Sequence, residues 1–410
     1  MRIALVGPAH PYKGGGARHT TELAHRLAAA GHDVIIESWR AQYPARLYPG
    51  QQTLDVPEGE PYPRTRRRLA WYRPDGWLAE GRRLASADLV VFALLTPLQV
   101  PAYLTILAAL RRASDPLQPL LPRRPRTVVI CHNVLPHERR LGDIALTRAL
   151  LSRVDTVLVH SPAQAIQASD LAPAASVVTA QMPPHLPCFL GGDERRPLGG
   201  DDPPQTPPAH GSAGLSDEGE LPIASWAGRL LFFGIVRPYK GLDVLLRALA
   251  AGPPNLTLTV AGEFWGGTAE TENLVAELGI ADRVRLRPGY VPASEIPALF
   301  AAADALVLPY REATASQNAL LAFAHGVPVI TTTAGALGEA VRDGVDGLTC
   351  APDDAEDLLR ALIQISDPQT ARRLRAGIPA VDPEPGWADY LRALQAGQPR
   401  PAGSDGALAR

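Results

Sequence analysis

The 410-residue sequence is poor in cysteine. Its three cysteines, Cys131, Cys188 and Cys350, are far apart and form no CxxC pair. This spacing argues against a disulfide framework and against a cysteine-ligated zinc site. A reducing compartment, the cytoplasm, is the location that suits this composition best.

The sequence also lacks a long uninterrupted apolar segment. Residues 89–110 carry no charge over a length that could span a bilayer. Pro97 and Pro101 divide this stretch, so it predicts a buried strand at residues 89–95 and then a helix at residues 100–112. The apolar residues 3–7 are too few for a signal peptide and predict a first strand.

Charge is nearly balanced overall but unevenly distributed. Apolar residues make up 46% and charged residues 20% of the chain, with a net charge of −2, as in soluble globular proteins. Residues 1–188 carry about +8 and the remainder about −10. The excess arginines of the first half could attract an anionic membrane surface or a phosphorylated acceptor, or could form a solvated surface. No nucleic-acid partner is predicted.

Apolar runs alternate with amphipathic ones in both halves of the chain, which is typical of βαβ units and parallel sheets. Residues 189–221 are instead rich in Gly, Pro, Asp and Glu, which predicts a disordered linker or loop. The sequence therefore predicts an α/β protein with a first doubly wound domain at residues 1–188 and a second after the linker. Ligands of such sheets bind at the carboxyl ends of strands, so the cleft between the domains is the expected active site.

A glycine-rich loop follows the first strand. Gly14, Gly15 and Gly16 precede a predicted helix, where a backbone can pass close to a ligand and helix N–H groups can bind an anion. A plain flexible loop is the alternative. The loop is neither GxGxxG nor a P-loop, which argues against an NAD-dependent dehydrogenase and against an ATP site.

His132 follows a predicted buried strand, at the edge where functional groups of open sheets collect. A structural, hydrogen-bonded histidine is the alternative. His132 and His137 do not indicate a metal site, because a proline separates them and the sequence offers no third ligand nearby. No metal site is predicted.

Arg237 and Lys240 follow the glycine turn at Gly234 and precede a predicted helix. Two cations beside the positive end of a helix form a site for a diphosphate. Solvated loop charges are the alternative.

A polar loop at residues 309–318 also follows a predicted strand. It offers groups that could hold a phosphate and sugar hydroxyls, namely Glu312, Thr314, Ser316, Gln317 and Asn318. The same pattern could be only a capped helix.

Taken together, these motifs resemble family 4 glycosyltransferases, the retaining enzymes with the GT-B fold. The resemblance extends along nearly the whole chain. It rests on Gly14–Gly16 with the Gly31-His32-Asp33-Val34 strand entry, on Lys240-Gly241, on Val260-Ala261-Gly262, on Gly289-Tyr290-Val291, on Gly326-Val327-Pro328 and on Gly344-Val345-Asp346-Gly347.

The resemblance implies two Rossmann-like doubly wound domains facing across a cleft. The second would occupy residues 222–380, and residues 381–398, with Trp387 and Tyr390, would form a helix crossing back onto the first domain. Residues 399–410 would form a disordered tail.

The resemblance also implies a nucleotide-diphosphate donor, most simply a UDP- or GDP-sugar, and no cofactor. His132, Arg237, Lys240 and Glu312 would be the catalytic residues, with His132 beside the transferring sugar and the two cations on the leaving diphosphate. The donor would further contact Gly15, Gly16, Gly234, Glu263, Tyr290, Val291, Thr314, Ser316, Gln317 and Asn318.

Two departures from the family pattern bear on this site. Ile235 occupies the position of the family's first phosphate-binding arginine, and Arg237 comes two residues later. Ala313 and Leu321 stand where the family commonly has two glutamates. Glu312 is then the candidate for the first glutamate, whereas Leu321 cannot bind ribose hydroxyls.

The sequence leaves rival functions open. One rival is a non-catalytic relative that binds a nucleotide sugar, and another is a GT-B nucleotide-sugar epimerase. The acceptor of a transferase could be a saccharide or a lipid-linked molecule, with peripheral contact to the inner face of an anionic membrane.

Overall fold

The computed structural model describes residues 1–44, 52–55, 59–113, 124–136, 140–185, 226–313 and 317–396. The predicted linker at residues 189–221 and the predicted tail at residues 399–410 lie outside these residues. So do His137, Thr314 and Ser316.

The first half forms a seven-stranded parallel sheet in the order β3-β2-β1-β4-β5-β6-β7. The strands are β1 (Arg2–Val6), β2 (Asp33–Ala41), β3 (Thr65–Ala70), β4 (Leu89–Leu94), β5 (Arg126–Cys131), β6 (Thr156–Val159) and β7 (Ser176–Thr179). Its helices are α1 (Gly15–Ala29), α2 (Pro74–Leu84), α3 (Val100–Ala113), α4 (Asp143–Leu151) and α5 (Pro162–Leu171).

The second half forms a six-stranded parallel sheet in the order β10-β9-β8-β11-β12-β13. The strands are β8 (Arg229–Phe233), β9 (Thr257–Gly262), β10 (Val284–Pro288), β11 (Ala305–Leu308), β12 (Val329–Thr332) and β13 (Gly347–Cys350). Its helices are α6 (Leu242–Ala251), α7 (Ala269–Glu277), α8 (Ile296–Ala301), α9 (Gln317–Ala324), α10 (Ala355–Ile365) and α11 (Pro368–Ala376).

Both sheets are covered on both faces, which explains their apolar central strands. All six residues of β4 and all four of β11 are buried. In each sheet the strands are added first on one side of the first strand and then on the other. The switch points lie between β1 and β4 and between β8 and β11. Ligands of doubly wound sheets bind in the crevice at such switch points.

The last helix, α12 (Glu384–Gln395), packs against the first domain. Trp387, Tyr390 and Leu394 share a buried cluster with Ile3 and Leu5 of β1. The Trp387 indole N–H also donates a 3.2 Å hydrogen bond to the Pro184 carbonyl. The C-terminal end of the described chain is thus part of the core of the first domain.

The predicted fold class, two doubly wound α/β domains, is confirmed. The sequence did not indicate β3, β13, α2, α5, α10 or α11. The sequence predicts the first helix at residues 19–30, whereas the helix begins at Gly15, because the glycines leave room for a close contact with the neighbouring strand end. An added Cβ at Gly16 would lie 2.3 Å from Leu95 Cδ2.

Two glycines with nearly the same backbone angle offer a matched stability test. Gly241 has φ +64° and Gly279 has φ +66°, but a Cβ at Gly241 would lie 2.0 Å from the Pro309 carbonyl oxygen whereas one at Gly279 meets nothing within 4 Å. We expect Gly279→Ala to lower the free energy of unfolding by about 1 kcal/mol through backbone strain alone. Gly241→Ala should cost at least about 2 kcal/mol more through the collision.

Urea unfolding of both variants checks this difference. Equal losses of stability would mean that the end of β11 moves freely away from Gly241.

Candidate active site

The donor side of the site is built where β8 ends. Gly234 turns the chain with φ 108° and Gly262, at the end of β9, has φ 152°. A Cβ at Gly262 would lie 1.8 Å from the Gly234 carbonyl oxygen. Only glycine fits here, so the backbone after β8 lies directly against the end of β9.

The two predicted diphosphate cations lie in the turn after Gly234. The chain passes through a short 3-10 turn, Pro238–Lys240, and α6 then begins. The Arg237 guanidinium lies over the Trp265 ring, 4.3 Å from its centroid, and the Lys240 ammonium lies 4.8 Å from the Tyr310 ring centroid. Aromatic faces therefore orient both cations.

Lys240 keeps its charge although it is buried. Burial lowers its pKa, but interaction with the Tyr310 and Tyr239 phenol groups outweighs burial, so the pKa of Lys240 is raised. The side chain is 9% exposed. A charged, largely desolvated ammonium interacts strongly with any anion placed beside it.

Asn318 meets Lys240 beside Gly234. A Cβ at Gly234 would lie 3.3 Å from Asn318 Nδ2 and 3.4 Å from Lys240 Nζ. The Asn318 amide also donates to the Phe233 carbonyl, at 2.9 Å. The structure thus brings three predicted residues together, Gly234, Lys240 and Asn318, with Arg237 in the same turn.

The other residues of the predicted polar loop do not join this group around Gly234. Glu312 is exposed, and the carbonyl of its neighbour Ala313 abuts Gly335, whose added Cβ would lie 1.8 Å away. Leu321 is buried in the second domain. The Gln317 side-chain oxygen accepts a hydrogen bond from the His185 backbone N–H, at 3.2 Å, so Gln317 holds the first domain. The roles of Glu312, Thr314 and Ser316 stay predictions.

The glycine loop opens onto a cavity in the first domain. A Cβ added at Gly14 or Gly15 would meet nothing within 4 Å. The cavity measures about 150 Å³ and is lined by Pro8, Tyr12, Lys13, Gly14, Gly15, Gly16, Ala17, Gln42, Tyr43, Gln52 and Leu95. Its size suits one small group and not a whole nucleotide sugar, since ligand pockets are typically about 300–1,000 Å³.

Lys13 joins this loop to the second domain. Its ammonium forms an ion pair with Glu263, which follows β9, and lies 5.5 Å from the centroid of the Tyr290 ring, which follows β10. Lys13 is 4% exposed and Glu263 is 19% exposed. Val291, next to Tyr290, is buried.

Lys13 was not predicted from the sequence as a residue of the site. The only available signal was a cation directly before the glycine triplet, because its partners lie about 250 residues further along the chain.

The third part of the site is a cluster of histidines in the first domain. His132 follows β5, and its ring centroid lies 5.2 Å from that of His19 and 5.5 Å from that of His160. Among the described residues, the buried His132 Nε2 has no hydrogen-bond partner. A bound hydroxyl group would satisfy that nitrogen.

His19 links three parts of the chain. Its Nδ1 lies 2.9 Å from His185 Nε2, and its Nε2 lies 3.0 Å from the Tyr390 hydroxyl of α12. Burial lowers the pKa of His19 and of His132 well below the ordinary value, and their histidine neighbours lower it further. These rings are therefore neutral at pH 7, so His132 can contact a sugar only as a neutral imidazole.

Within the ranges that the structure describes, no three His, Cys, Asp or Glu side chains are grouped so that they could hold a metal ion. In the same ranges no helix is both long and apolar enough to cross a membrane.

Family models match both domains at the positions where this geometry lies. Residues 13–178 match the model described as Glycosyltransferase Family 4, and residues 227–367 match the model described as Glycosyl transferases group 1. The two matches together cover more than half of the chain. The chain belongs to glycosyltransferase family 4. The predicted resemblance is thereby confirmed.

Curated relatives of this family 4 member include D-inositol 3-phosphate glycosyltransferases. The protein of that name from Streptomyces griseus is 32% identical over 270 residues, which is 62% of this chain and 54% of the relative. The one from Thermomonospora curvata is 38% identical over 160 residues, 36% of this chain and 37% of the relative. The matched segments thus span about half the length of these relatives or less.

Solved structures share the fold over almost the whole chain. Sucrose-phosphate synthase from Thermosynechococcus elongatus has a TM-score of 0.66 at 20% identity and covers 97% of both chains. Anabaena HepE, solved in complex with UDP and glucose, has a TM-score of 0.66 at 16% identity and covers 96% of this chain and 99% of its own. At these identities the likeness shows the GT-B fold alone.

The histidine cluster of this family 4 member predicts a pH-dependent stability. Burial lowers the pKa of His160 to about 4, while in the unfolded chain it is near its ordinary value of 6.5. Between these values the unfolded chain binds more protons, so the free energy of unfolding falls as pH falls from 6.5 to 4. For His160 the loss is on the order of 3 kcal/mol.

Comparing wild type with His160→Gln isolates this contribution, because the variant loses the titrating group. The comparison is needed because Glu37 has the opposite effect on stability. Burial and the Glu80 carboxylate raise the pKa of Glu37 to about 7, so its protonation increases the free energy of unfolding as pH falls. Urea unfolding at pH 7.5 and 4.5 should show a smaller pH effect in the variant. An equal change in the free energy of unfolding between the two pH values in wild type and variant would contradict a neutral buried His160.

Proposed function

We propose that the protein is a retaining glycosyltransferase that moves a hexose from a UDP- or GDP-sugar to a saccharide or lipid-linked acceptor. The observation that carries the proposal is the turn after β8, where Arg237 and buried Lys240 lie beside Gly234 at the switch point of the second sheet. The His132 side of the first domain would face the transferring sugar.

In this reaction the bond between the anomeric carbon and the β-phosphate oxygen breaks and a bond to the acceptor oxygen forms on the same face. The acceptor proton passes to the departing diphosphate. Catalysis is then chiefly positioning and stabilisation of the negative charge that develops on the leaving group. Arg237 and Lys240 supply that stabilisation, and a metal ion is not required.

Removing these cations should slow transfer and donor hydrolysis. We expect Lys240→Ala and Arg237→Ala each to lower kcat by about 10²–10³, as for the loss of one charge-stabilising donor in other enzymes. Arg247→Ala, which removes an exposed cation from α6, is the matched control and should keep wild-type rates.

The measurement is release of nucleoside diphosphate from UDP-, GDP-, ADP- and dTDP-sugars, with a saccharide panel, lipid extract and D-inositol 3-phosphate as acceptors. The last is included because it appears in the names of the curated relatives. Near-normal turnover by a Lys240→Ala/Arg237→Ala double variant would refute the assignment. Binding of the nucleotide sugar without release of nucleoside diphosphate would favour a non-catalytic relative. An altered sugar configuration in the recovered donor would favour an epimerase.

An exposed basic and aromatic surface supports an acceptor at an anionic membrane. Residues 64–83 contain seven arginines and two acidic residues, and Trp71 and Tyr72 between β3 and α2 are 43% and 50% exposed. Aromatic side chains favour the membrane interface, and arginines favour anionic lipid. We call this the arginine–aromatic surface, formed by Arg66, Arg68, Trp71, Tyr72, Arg73, Leu78, Arg82 and Arg83.

Co-sedimentation with vesicles of phosphatidylglycerol and phosphatidylcholine tests this surface. We expect binding to fall steeply with salt, and to fall at least about tenfold in Arg66→Glu/Arg68→Glu and in Trp71→Ala/Tyr72→Ala. Arg372→Glu/Arg373→Glu, which reverses two exposed charges on α11, should bind as wild type does. Equal losses in the two charge-reversal variants, with no loss in Trp71→Ala/Tyr72→Ala, would show that net charge alone drives binding.

A further inference from the structure

The family pattern implies a glutamate for the ribose of the donor at a position where this chain has none. The position is occupied by Leu321, a side chain in the buried cluster of the second domain. A leucine accepts no hydrogen bond, so the two ribose hydroxyls of a bound nucleotide need another acceptor.

The order of the strands indicates where that acceptor must lie. The predicted diphosphate cations follow β8, and Tyr290 and Val291, two further predicted contacts of the donor, follow β10. β9 runs between these two strands. Because adjacent strands are about 4.8 Å apart, a nucleotide extended from the β8 turn to the end of β10 passes its ribose over the end of β9.

Glu263 is the residue at that point. Its backbone carbonyl accepts a 2.8 Å hydrogen bond from the Val236 N–H, which fixes it next to the Arg237 turn. The side chain extends toward the cleft, since its carboxylate reaches Lys13 of the first domain. It is partly accessible, at 19%, unlike Leu321.

We propose that Glu263 supplies the carboxylate that binds the ribose hydroxyls of the donor, and that Lys13 positions it from across the cleft. A carboxylate accepts about four hydrogen bonds, so the bond from Lys13 leaves acceptor positions for both hydroxyls. Lys13 lies directly before the glycine loop, so the same contact couples ribose binding to the approach of the two domains. Lys13 is a positioning residue in this scheme.

The inference rests on the proposed transfer function. Calorimetric titration of the full chain with a ribonucleotide and its dideoxy form tests the role of Glu263 separately from that function. The probes are UDP and 2′,3′-dideoxy-UDP, or the GDP or ADP pair if the donor screen identifies another base. Wild type should bind the ribonucleotide about 10- to 100-fold more tightly than the dideoxy form, as expected for hydrogen bonds to a charged group.

Glu263→Ala should lose that preference and bind both nucleotides with the affinity that wild type has for the dideoxy form. Lys13→Met should reduce the preference, and Lys13→Arg should restore most of it, a pattern that general loosening of the fold would not produce. Glu272→Ala, an exposed glutamate of α7, is the matched control and should retain the full preference. Thermal unfolding of each variant confirms that it is folded.

A wild-type preference that survives intact in Glu263→Ala would overturn this inference and leave the proposed function standing. Equal wild-type affinity for the two nucleotides would also overturn it. If wild type binds no nucleoside diphosphate, the proposed function fails and this inference fails with it.

Discussion

The donor site depends on one packing constraint, the near contact of backbone segments at the carboxyl edge of the second sheet. Gly262 passes so close to the Gly234 carbonyl that a Cβ would lie 1.8 Å from its oxygen, and Gly241 approaches the Pro309 carbonyl in the same way. Because no side chain fits between these segments, β8, β9 and β11 end at nearly the same level. Arg237, Glu263 and Tyr310, which follow these strands, therefore lie along the same carboxyl edge of the sheet.

Besides the Lys13–Glu263 ion pair, the two domains are joined by a series of neutral, buried groups. A hydrogen-bonded series runs from Tyr390 on α12 through His19 on α1 to His185, and the His185 backbone then donates to Gln317 on α9. Burial lowers the pKa of His185 to about 3, so the ring is uncharged at pH 7 and its desolvation costs little. A charged junction in the same place would have required counter-ions and would have changed strength with salt. The contact of α1 and α12 with α9 through His185 is thus insensitive to ionic strength.

The sequence predicted most of the strands because each is a short apolar run between turn residues. It did not indicate β3, because an edge strand needs few buried side chains, and only Leu69 and Ala70 of that strand are buried. The arginines of that strand are exposed, and the pairing of their backbone was not visible in the sequence. Gly234, Lys240 and Asn318 were predictable as a group because they follow strands of one sheet. The pairing of Lys13 with Glu263 was not, since no local pattern specifies contacts between separate domains.

The two buried lysines of the site show how the same side chain can serve two purposes. Lys13 has a carboxylate partner, Glu263, so its charge is already compensated and its main effect is to hold that partner in place. Lys240 is similarly inaccessible, yet among the described residues no carboxylate forms an ion pair with it, and it lies against the Tyr310 ring instead. The tyrosines stabilise the charged form of Lys240 without neutralising it. Its positive charge is therefore available to an anion. In the proposed function a diphosphate gains more at Lys240 than at Lys13, which would orient the donor with its phosphates toward β8.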